Sequence, residues 1–298
     1  MILVVGASGE LGGRVLRLLR ARDEKVRALV RPATADSEVA ATGAEVAHGD
    51  LTDPPSLPAA CQGIDTVIAT ATAIARRLSG AGGPSIKEVD EIGMAALVDA
   101  AQAAGVKRFV YLSYAGADVG LGSPLERAKL ATERRLRSTS MRVVIVRPDA
   151  FQEIHLAPLG RFDMAAGKVA VFGKGDTKRR YVSTDDVALL VTALATEADP
   201  PELVEFGGPE AISRNEAIAA AERITGRPMK RQSMPRWAAR AGMRVLDKPK
   251  DGLASVFATG LMQDTIPVTW DDQPLRARGI EPRPATDWLQ QQATQKDV

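Results

Sequence analysis

The sequence predicts an α/β protein whose core is a doubly wound parallel sheet, with a smaller C-terminal lobe. Short apolar runs alternate with segments of helical spacing, and this alternation continues through six predicted strands. Strands that alternate with helices form parallel sheets covered on both faces. The first apolar run, residues 1–5, leads directly into three glycines spaced three apart. In a doubly wound fold, ligands bind at the carboxyl ends of the strands, and we expect the functional residues there.

The elements of the first half follow from hydrophobic spacing. Strands are predicted at residues 1–5, 25–30, 44–48, 65–70, 107–113 and 142–147. A helix is predicted directly after the glycines, with an apolar face formed by Leu11, Val15, Leu18 and Leu19. Further helices are predicted over residues 84–104, which have an alanine-rich face, and over residues 124–138.

The glycines at positions 6, 9 and 12 predict the binding of a dinucleotide. One glycine permits a sharp turn, one lets the backbone approach a pyrophosphate, and one lets the helix pack close to the strand. The first helical amides then face the phosphates, where unpaired N–H groups and the helix dipole favour an anion. The predicted contacts all come from this turn: Gly6, Ser8, Gly9, Glu10, Leu11 and Gly12.

The pattern is looser beyond Pro148. We expect short strands at residues 168–173 and 179–183, a helix over residues 184–196 capped by Thr184 or Asp185, and a strand at residues 203–206. Mostly helical segments are expected from Ser213 onward. These elements predict a dinucleotide-binding domain over residues 1–150 and a mainly substrate-side lobe over residues 151–298. The stretch at about 181–206 is expected to return to the first domain's sheet.

Composition excludes several classes of function. The 298 residues include 39 basic and 37 acidic ones, so the net charge of +2 gives no reason to expect a nucleic-acid or membrane partner. A single cysteine, Cys61, and two histidines, His48 and His155, argue against disulfides, zinc sites and a Ser-His-Asp triad. No apolar stretch reaches the roughly 18 residues of a membrane helix, and the first apolar run is too short for a signal peptide. We expect a cytoplasmic protein.

The end of the second predicted strand indicates which dinucleotide is bound. In this fold an acidic residue about 20 positions after the glycines binds the 2′-hydroxyl of NAD. Here Arg31 stands at that place, and no Asp or Glu occurs from Val26 to Ala35. An arginine can pair with a 2′-phosphate and stack on adenine, so NADP(H) is preferred while NAD(H) stays possible. The alternative is a solvated surface arginine, and Arg14 is a second candidate for the phosphate.

Further cofactor contacts are predicted after the third and fourth strands. Asp50 could accept a hydrogen bond from the adenine amino group while Leu51 packs against the ring. A plain turn at Gly49 and Asp50 is the alternative. Small residues follow the fourth strand, where the backbone can pass close to the nicotinamide ribose: Ala69, Thr70 and Ala71.

Several short motifs together resemble the atypical short-chain dehydrogenase/reductases, in particular their NmrA-like NAD(P)-binding branch. The specific part is the glycine turn with its arginine-ended second strand, and the resemblance covers most of the chain. The matching segments are residues 4–9 (VVGASG), 26–32 (VRALVRP), 49–52 (GDLT), 111–113 (YLS), 146–148 (VRP) and 207–215 (GGPEAISRN). The resemblance implies a Rossmann domain, NADP(H) bound across the strand ends, and a small-molecule substrate over the nicotinamide.

The resemblance also implies catalytic residues, with one departure. The wider family uses a Tyr-x-x-x-Lys pair with a serine at the end of the fifth strand, because the tyrosine gives a proton as hydride arrives. Here Lys129 and Ser113 match, but Leu125 stands at the tyrosine position. Tyr114 could supply a phenol or merely pack. Lys129 could bind the nicotinamide ribose or deliver a proton, with a surface lysine as the alternative.

The residues after the sixth strand are the last predicted contacts. In the family, the backbone there reaches the nicotinamide carboxamide, which predicts contacts from Pro148 and Phe151, although Phe151 could equally be a core or lid residue.

Two functions compete. One is an NADPH-dependent reductase of quinones or activated double bonds, whose acceptor needs little proton help. The other is a regulatory protein that senses NADP(H) without catalysis, which the loss of the tyrosine favours.

Overall fold

Seven strands form the central sheet of this protein, in the order β3-β2-β1-β4-β5-β6-β10. The computed structural model describes residues 1–78 and 82–294. The strands are β1 (Ile2–Val5), β2 (Val26–Val30), β3 (Glu45–His48), β4 (Thr66–Ala69), β5 (Arg108–Leu112), β6 (Arg142–Pro148), β7 (Phe162–Asp163), β8 (Lys168–Phe172), β9 (Lys178–Arg179), β10 (Leu203–Phe206), β11 (Ile212–Ser213) and β12 (Lys230–Met234).

Helices connect these strands. They are α1 (Glu10–Arg20), α2 (Ser37–Ala40), α3 (Leu57–Cys61), α4 (Ile74–Leu78), α5 (Met94–Ala103), α6 (Pro124–Arg137), α7 (Gln152–His155), α8 (Thr184–Thr196), α9 (Arg214–Thr225), α10 (Arg236–Leu246), α11 (Asp251–Thr265), α12 (Gln273–Arg276) and α13 (Ala285–Thr294). A π-helical stretch, Lys87–Gly93, leads into α5, and 3₁₀ turns occupy Pro54–Ser56 and Pro158–Gly160. No helix among these described elements is long and apolar enough to span a bilayer.

The central sheet is parallel, as the alternation of strands and helices predicts. β1 pairs in parallel with β2 on one side and β4 on the other, and β10 runs alongside β6 through bonds from Ile145 N to Glu202 O and from Asp149 N to Phe206 O. The strand order reverses between β1 and β4. In doubly wound sheets this reversal opens a crevice at the carboxyl ends of the strands, so the fold places a ligand site there.

The chain forms two compact units. The first comprises Met1–Ser113, Pro124–Arg147 and Val187–Val204, and the second comprises Tyr114–Ser123, Pro148–Asp186 and the chain from Glu205 onward. The core of the first unit consists of apolar side chains from the sheet and from α3 and α5. In the second unit, a smaller core packs α9 and α13 against β8. Each unit therefore buries an apolar core of its own.

Several local predictions need correction. The predicted helix over residues 84–104 begins with the π-helical stretch, and the predicted strand at 179–183 shrinks to β9 because only a bridge between Phe151 and Val182 continues it. The strand β12 was not predicted, because mostly helical segments were expected from Ser213 onward. Its sequence, KRQSM, is almost wholly exposed and lacks alternation, and only the backbone pairing with β8 makes it a strand. The cap of α8 is Ser183, whose hydroxyl accepts from Asp186 N at 3.0 Å.

A buried ion pair joins α6 to the sheet. The Arg147 guanidinium donates two parallel bonds to Glu133, Nε to Oε1 at 3.0 Å and Nη2 to Oε2 at 2.7 Å, and both side chains are almost fully buried. Removing one member of such a pair leaves an uncompensated charge in the core. The same helix also carries an exposed pair, Arg135 with Asp99.

Replacing Glu133 with Gln should therefore lower the free energy of unfolding by about 3 kcal/mol or more. The matched control is Asp99→Asn, which removes the carboxylate of the exposed pair and should cost under about 1 kcal/mol. Urea unfolding curves of the two variants give the comparison. Similar losses in both would contradict the structural role of the buried pair.

Candidate functional site

The turn from β1 into α1 leaves no room for side chains. Gly6 has a φ of +95°, and a Cβ there would lie 2.8 Å from Ala71 N and from Thr70 Oγ1. A Cβ on Gly12 would lie 2.1 Å from the Gly6 carbonyl oxygen. Gly9 N donates to that same oxygen at 2.9 Å. The two outer glycines thus let the start of α1 lie directly against the ends of β1 and β4.

The start of α1 has the features of an anion site. Gly9 is its N-cap and offers no side-chain cap to the first helical amides, so these donors are available to a ligand. A Cβ on Gly9 would meet, apart from its neighbours in the chain, only the Gly6 oxygen, at 3.2 Å. Ser8, Gly9 and Glu10 are exposed, and Leu11 is half-buried. These residues fit a pyrophosphate bound by backbone amides and the helix dipole.

The two arginines considered for the 2′-phosphate differ in their contacts. Arg14, on the first turn of α1, is paired with Glu10 and also donates to the Glu10 carbonyl at 3.2 Å. Arg31, directly after β2, is half-buried, and no described residue forms a hydrogen bond or ion pair with its guanidinium. Arg31 therefore has its donors available for a ligand, whereas Arg14 is engaged by a carboxylate.

The residues after β3 form a turn. Asp50 Oδ1 accepts from both the backbone N and the hydroxyl of Thr52, each at 2.8 Å. Asp50 therefore forms the turn that was predicted as its alternative role. Its second carboxylate oxygen, Oδ2, has no hydrogen bond to a described residue. The Leu51 side chain is buried in the core of the first unit. Contacts of these two residues with adenine stay predictions.

The residues after β4 lie beside the glycine turn. Thr70 donates from its backbone N and from Oγ1 to the Val5 carbonyl, at 3.0 and 3.1 Å. Ala69 is fully buried in the core, and Ala71 packs against it while partly exposed. Thr70 thus ties the end of β4 to the end of β1, and small side chains keep the backbone next to Gly6 accessible.

Lys129 is a buried residue, and this excludes the surface-lysine alternative. Its side chain is 7% exposed, and Nζ donates to the Leu112 carbonyl at the end of β5, at 2.9 Å. The ammonium also lies 4.9 Å from the centre of the Tyr111 ring and 3.7 Å from Asp90 Oδ1. The helix α6 therefore delivers a cation to the carboxyl end of the fifth strand.

Asp90 is the counter-charge, and the prediction from sequence missed it. It lies in the π-helical stretch, is completely buried, and accepts from Ala73 N at 2.9 Å through Oδ2. π-Helical turns frequently mark functional sites. A signal was present, because Asp90 shares a helical face with the apolar Met94, Leu97 and Ala101, and an acid on such a face is seldom buried without a partner.

Burial sets the protonation chemistry of this group. Desolvation lowers the pKa of Lys129, and the negative charge of Asp90 opposes that shift. The pKa of Asp90 is raised by desolvation and held down by the Lys129 ammonium. Desolvation and the Asp90 charge raise the pKa of Tyr111 well above its usual range. Lys129 therefore gives up its proton more readily than an exposed lysine, while Tyr111 keeps its own.

Three buried polar atoms near the end of β5 have no hydrogen-bond partner in the described structure: Tyr111 Oη, Ser113 Oγ and Asp90 Oδ1. Ser113 is 5% exposed and follows β5, with its backbone N bonded to Val146 O at 2.8 Å. A buried hydroxyl without a protein partner can be satisfied by a bound water, ion or ligand. The ribose hydroxyls of a dinucleotide have the required donors and acceptors.

Leu125 lies in a small apolar cluster with Ala73, Ile86 and Ala128, so the position where the wider family has its tyrosine holds no proton donor. Tyr114 belongs to the second unit and is half-buried. In that unit Pro148 O accepts from Ala115 N at 2.9 Å, and Phe151 is half-buried at its bridge to Val182. The roles of Tyr114, Pro148 and Phe151 toward a ligand stay predictions.

The second unit contains a cavity of about 580 Å³ lined by Arg180, Trp270 and Asp271, among other residues. The Trp270 indole donates to the buried Asp149 at 3.0 Å, and Asp149 also pairs with Arg179. Elsewhere in this unit, the apolar residues Leu261 and Met262 are buried in the core, whereas Trp237 is 74% exposed. This cavity therefore has a mixed lining, in which apolar residues such as Pro267 and Val268 stand beside charged ones such as Lys178 and Arg180.

The glycine turn allows binding to be separated from folding. A Cβ on Gly9 is sterically tolerable, and the residue has an extended backbone (φ −89°, ψ 167°), so Gly9→Ala should fold with a loss of about 1 kcal/mol at most. Its affinity for NADPH should fall at least tenfold, because the methyl group occupies the approach of the pyrophosphate. Gly12→Ala should lose thermal stability instead. Unchanged NADPH affinity in Gly9→Ala would contradict the assignment.

The Asp90–Lys129 pair should show strong coupling in a double-mutant cycle. Asp90→Asn and Lys129→Met should each lower the free energy of unfolding by about 3 kcal/mol or more, since each leaves a buried charge unpaired. The double variant should lose about 2 kcal/mol less than the sum of the two. Urea unfolding measures all three. Additive losses would show that the two side chains do not interact.

Comparison with known proteins agrees with this geometry. A family model described as NAD(P)H-binding matches residues 6–198. The chain is 30% identical over 268 residues to an NAD(P)H azoreductase of Xenophilus azovorans, covering 87% of this chain and 86% of the relative. It is 34% identical over 240 residues to the chloroplastic protein High chlorophyll fluorescence phenotype 244 of Arabidopsis thaliana, covering 78% of this chain and only 58% of that relative.

Two solved structures share the fold. A triphenylmethane reductase of Citrobacter sp. complexed with NADP(H) has a TM-score of 0.76 at 23% identity, covering 97% of this chain and 99% of the other. An NADPH-dependent quinone oxidoreductase of Escherichia coli has a TM-score of 0.73 at 21% identity, covering 98% and 99%. The predictions of a Rossmann-type fold and an NAD(P)H cofactor are confirmed. The chain belongs to the NAD(P)H-binding oxidoreductases of the atypical short-chain dehydrogenase/reductase family, in its NmrA-like branch.

Proposed function

We propose that this protein uses NADPH to reduce a small acceptor, either a quinone or an activated double bond. The observation that carries the proposal is the buried Lys129, whose pKa is lowered and whose Nζ donates to the carbonyl of Leu112, the residue before Ser113. Leu125 in place of a tyrosine argues against ordinary alcohol–ketone interconversion, which needs a strong proton donor. Relatives named as an azoreductase and a quinone oxidoreductase support an acceptor of this kind.

The chain's residues divide the work as follows. The amides at the start of α1 bind the pyrophosphate, and the Arg31 guanidinium pairs with the 2′-phosphate. Ser113 and Lys129 orient the nicotinamide ribose. NADPH, when bound, supplies a hydride. Lys129 Nζ then gives one proton to the developing oxyanion of the acceptor, so that a quinone plus hydride plus proton becomes a hydroquinone, and Lys129 regains its proton from solvent.

The choice of NADPH over NADH depends on Arg31. Arg31→Gln should weaken NADPH binding at least tenfold, because a charge-assisted bond to a phosphate contributes about 1.5–3 kcal/mol. Binding of NADH should change by less than about threefold, since NADH has no phosphate at that place. The control is Arg22→Gln, which removes an exposed arginine near the end of α1. Equal affinity of Arg31→Gln and wild type for NADPH would refute this role of Arg31.

The reaction is tested with a panel of quinones and enones, measured by loss of NADPH absorbance. Wild type should turn over at least one acceptor class. Lys129→Met should bind NADPH within about tenfold of wild type but reduce that acceptor at least about 100-fold more slowly, the range expected for a lost general acid. Tight NADPH binding without oxidation by any acceptor would overturn the reductase proposal.

A second function, sensing of NADP(H), is supported by Leu125 at the tyrosine position. A sensor must bind one form of its ligand better than another, because only a difference in affinity shifts a conformational equilibrium. Calorimetric titrations with NADPH and NADP⁺ separate the two functions. Turnover with similar affinities indicates a reductase, whereas a large affinity difference without turnover indicates a sensor.

A further inference from the structure

One segment of the second unit concentrates the positive charge of this chain. From Arg227 to Lys250 the sequence has eight Lys and Arg residues and one acid, Asp247. The rest of the chain has 31 basic and 36 acidic residues, and is therefore net negative. The net charge of the whole chain, +2, does not reveal this basic segment. The expectation that no anionic partner binds, which rests on net charge alone, therefore does not apply to it.

The helix α10 within this segment exposes an apolar stripe. Trp237 is 74% exposed and Val245 is 72% exposed, and they are two of the five large apolar side chains that are exposed in the described structure. Their spacing of eight residues, with Ala241 midway, places them along one side of the helix. These three residues, together with Arg240 and Arg244, are here called the α10 face.

The opposite side of α10 is fixed against α11. Ala239 is fully buried, and Gly242 lies so close to Phe257 that a Cβ on the glycine would be 2.6 Å from its ring. The orientation of α10 is therefore set by packing within the second unit. Trp237 and Val245 are exposed because the helix is docked on its other side, not because it is loosely attached.

The arginines of the α10 face have no partner among the residues that the structure describes. Arg236, at the start of the helix, pairs with Asp264. By contrast, Arg240 and Arg244 are exposed, and no described residue forms an ion pair or hydrogen bond with their guanidinium groups. Lys248 and Lys250, directly after the helix, are exposed as well. The apolar stripe is thus flanked by cations whose charge no carboxylate of the described chain neutralises.

We propose that the α10 face docks on an anionic lipid bilayer, with the helix lying in the plane of the membrane surface. Tryptophan is favoured at the headgroup level, where its ring is apolar and its N–H is wet. Arginine binds phosphate groups in two-point contacts, and clusters of four to eight basic residues on an amphipathic helix are typical of anionic-lipid binding. A nucleic acid would use the cations but gain little from the apolar Val245, so the mixed face favours a bilayer.

The test is sedimentation of the full chain with large vesicles of phosphatidylcholine alone, or with about one third phosphatidylglycerol. Wild type should sediment with the anionic vesicles at low salt, remain in solution with the neutral ones, and detach as salt is raised. The fluorescence of the exposed Trp237 should shift to shorter wavelength on binding. Trp237→Phe should abolish most of that shift, since Trp270 and Trp288 are only half-exposed or less.

Two pairs of substitutions distinguish vesicle binding through the α10 face from binding through the positive charge of the protein in general. The double variant Arg240→Gln with Arg244→Gln should lower the partition into anionic vesicles about 30-fold, because each basic residue near the surface contributes about fivefold. The matched control, Arg22→Gln with Arg134→Gln, removes two exposed arginines outside the segment and should change it less than threefold. No sedimentation of wild type with anionic vesicles overturns the proposal. So does an equal effect of both variant pairs, or binding to DNA or polyglutamate without binding to vesicles.

Discussion

The absence of space between α1 and the ends of β1 and β4 is the constraint on which the site depends. The Gly6 carbonyl oxygen lies where a side chain at Gly12 would begin, and Thr70 hydrogen-bonds the adjoining end of β1. Any side chain at Gly12 would push the helix away from the sheet. With glycine there, the first amides of α1 lie at the strand ends, where the order of strands reverses and a crevice forms. The glycine turn thus leaves these amides free to bind an anionic ligand at the strand ends.

The second determinant is a cation held in an apolar environment. Lys129 is bound by the carbonyl of Leu112 and faces Asp90, and both side chains are almost fully buried. Burial lowers the pKa of Lys129, while the negative charge of Asp90 opposes that shift. This arrangement holds an ammonium group, which can donate a proton, at a site whose tyrosine is missing. An acceptor that becomes a stabilised anion on receiving hydride needs little help from a proton donor. The absence of the tyrosine at Leu125 therefore fits the acceptor class proposed above.

Much of the fold could be predicted from the sequence because buried parallel strands give short apolar runs, and glycines mark the turn that needs them. The glycine turn was predictable because only glycine fits at Gly6 and Gly12, whereas the role of Arg31 toward a ligand stays a prediction. Asp90 was not predicted from the sequence because its partner, Lys129, is 39 residues away and only the tertiary fold brings the two together. β12 escaped because its polar sequence has no strand pattern. The charge of the α10 face was hidden because composition averages over the chain.

The most direct measurement is calorimetric titration of nucleotide-free protein with NADPH, with NADP⁺, NADH and NAD⁺ as comparators. NADPH should bind at micromolar concentration or tighter, and the two nucleotides that have no 2′-phosphate should bind more weakly. Absence of binding by all four would contradict this prediction, because the glycine turn, Arg31 and Lys129 would then have no common ligand, and the reductase and the sensor would both be excluded.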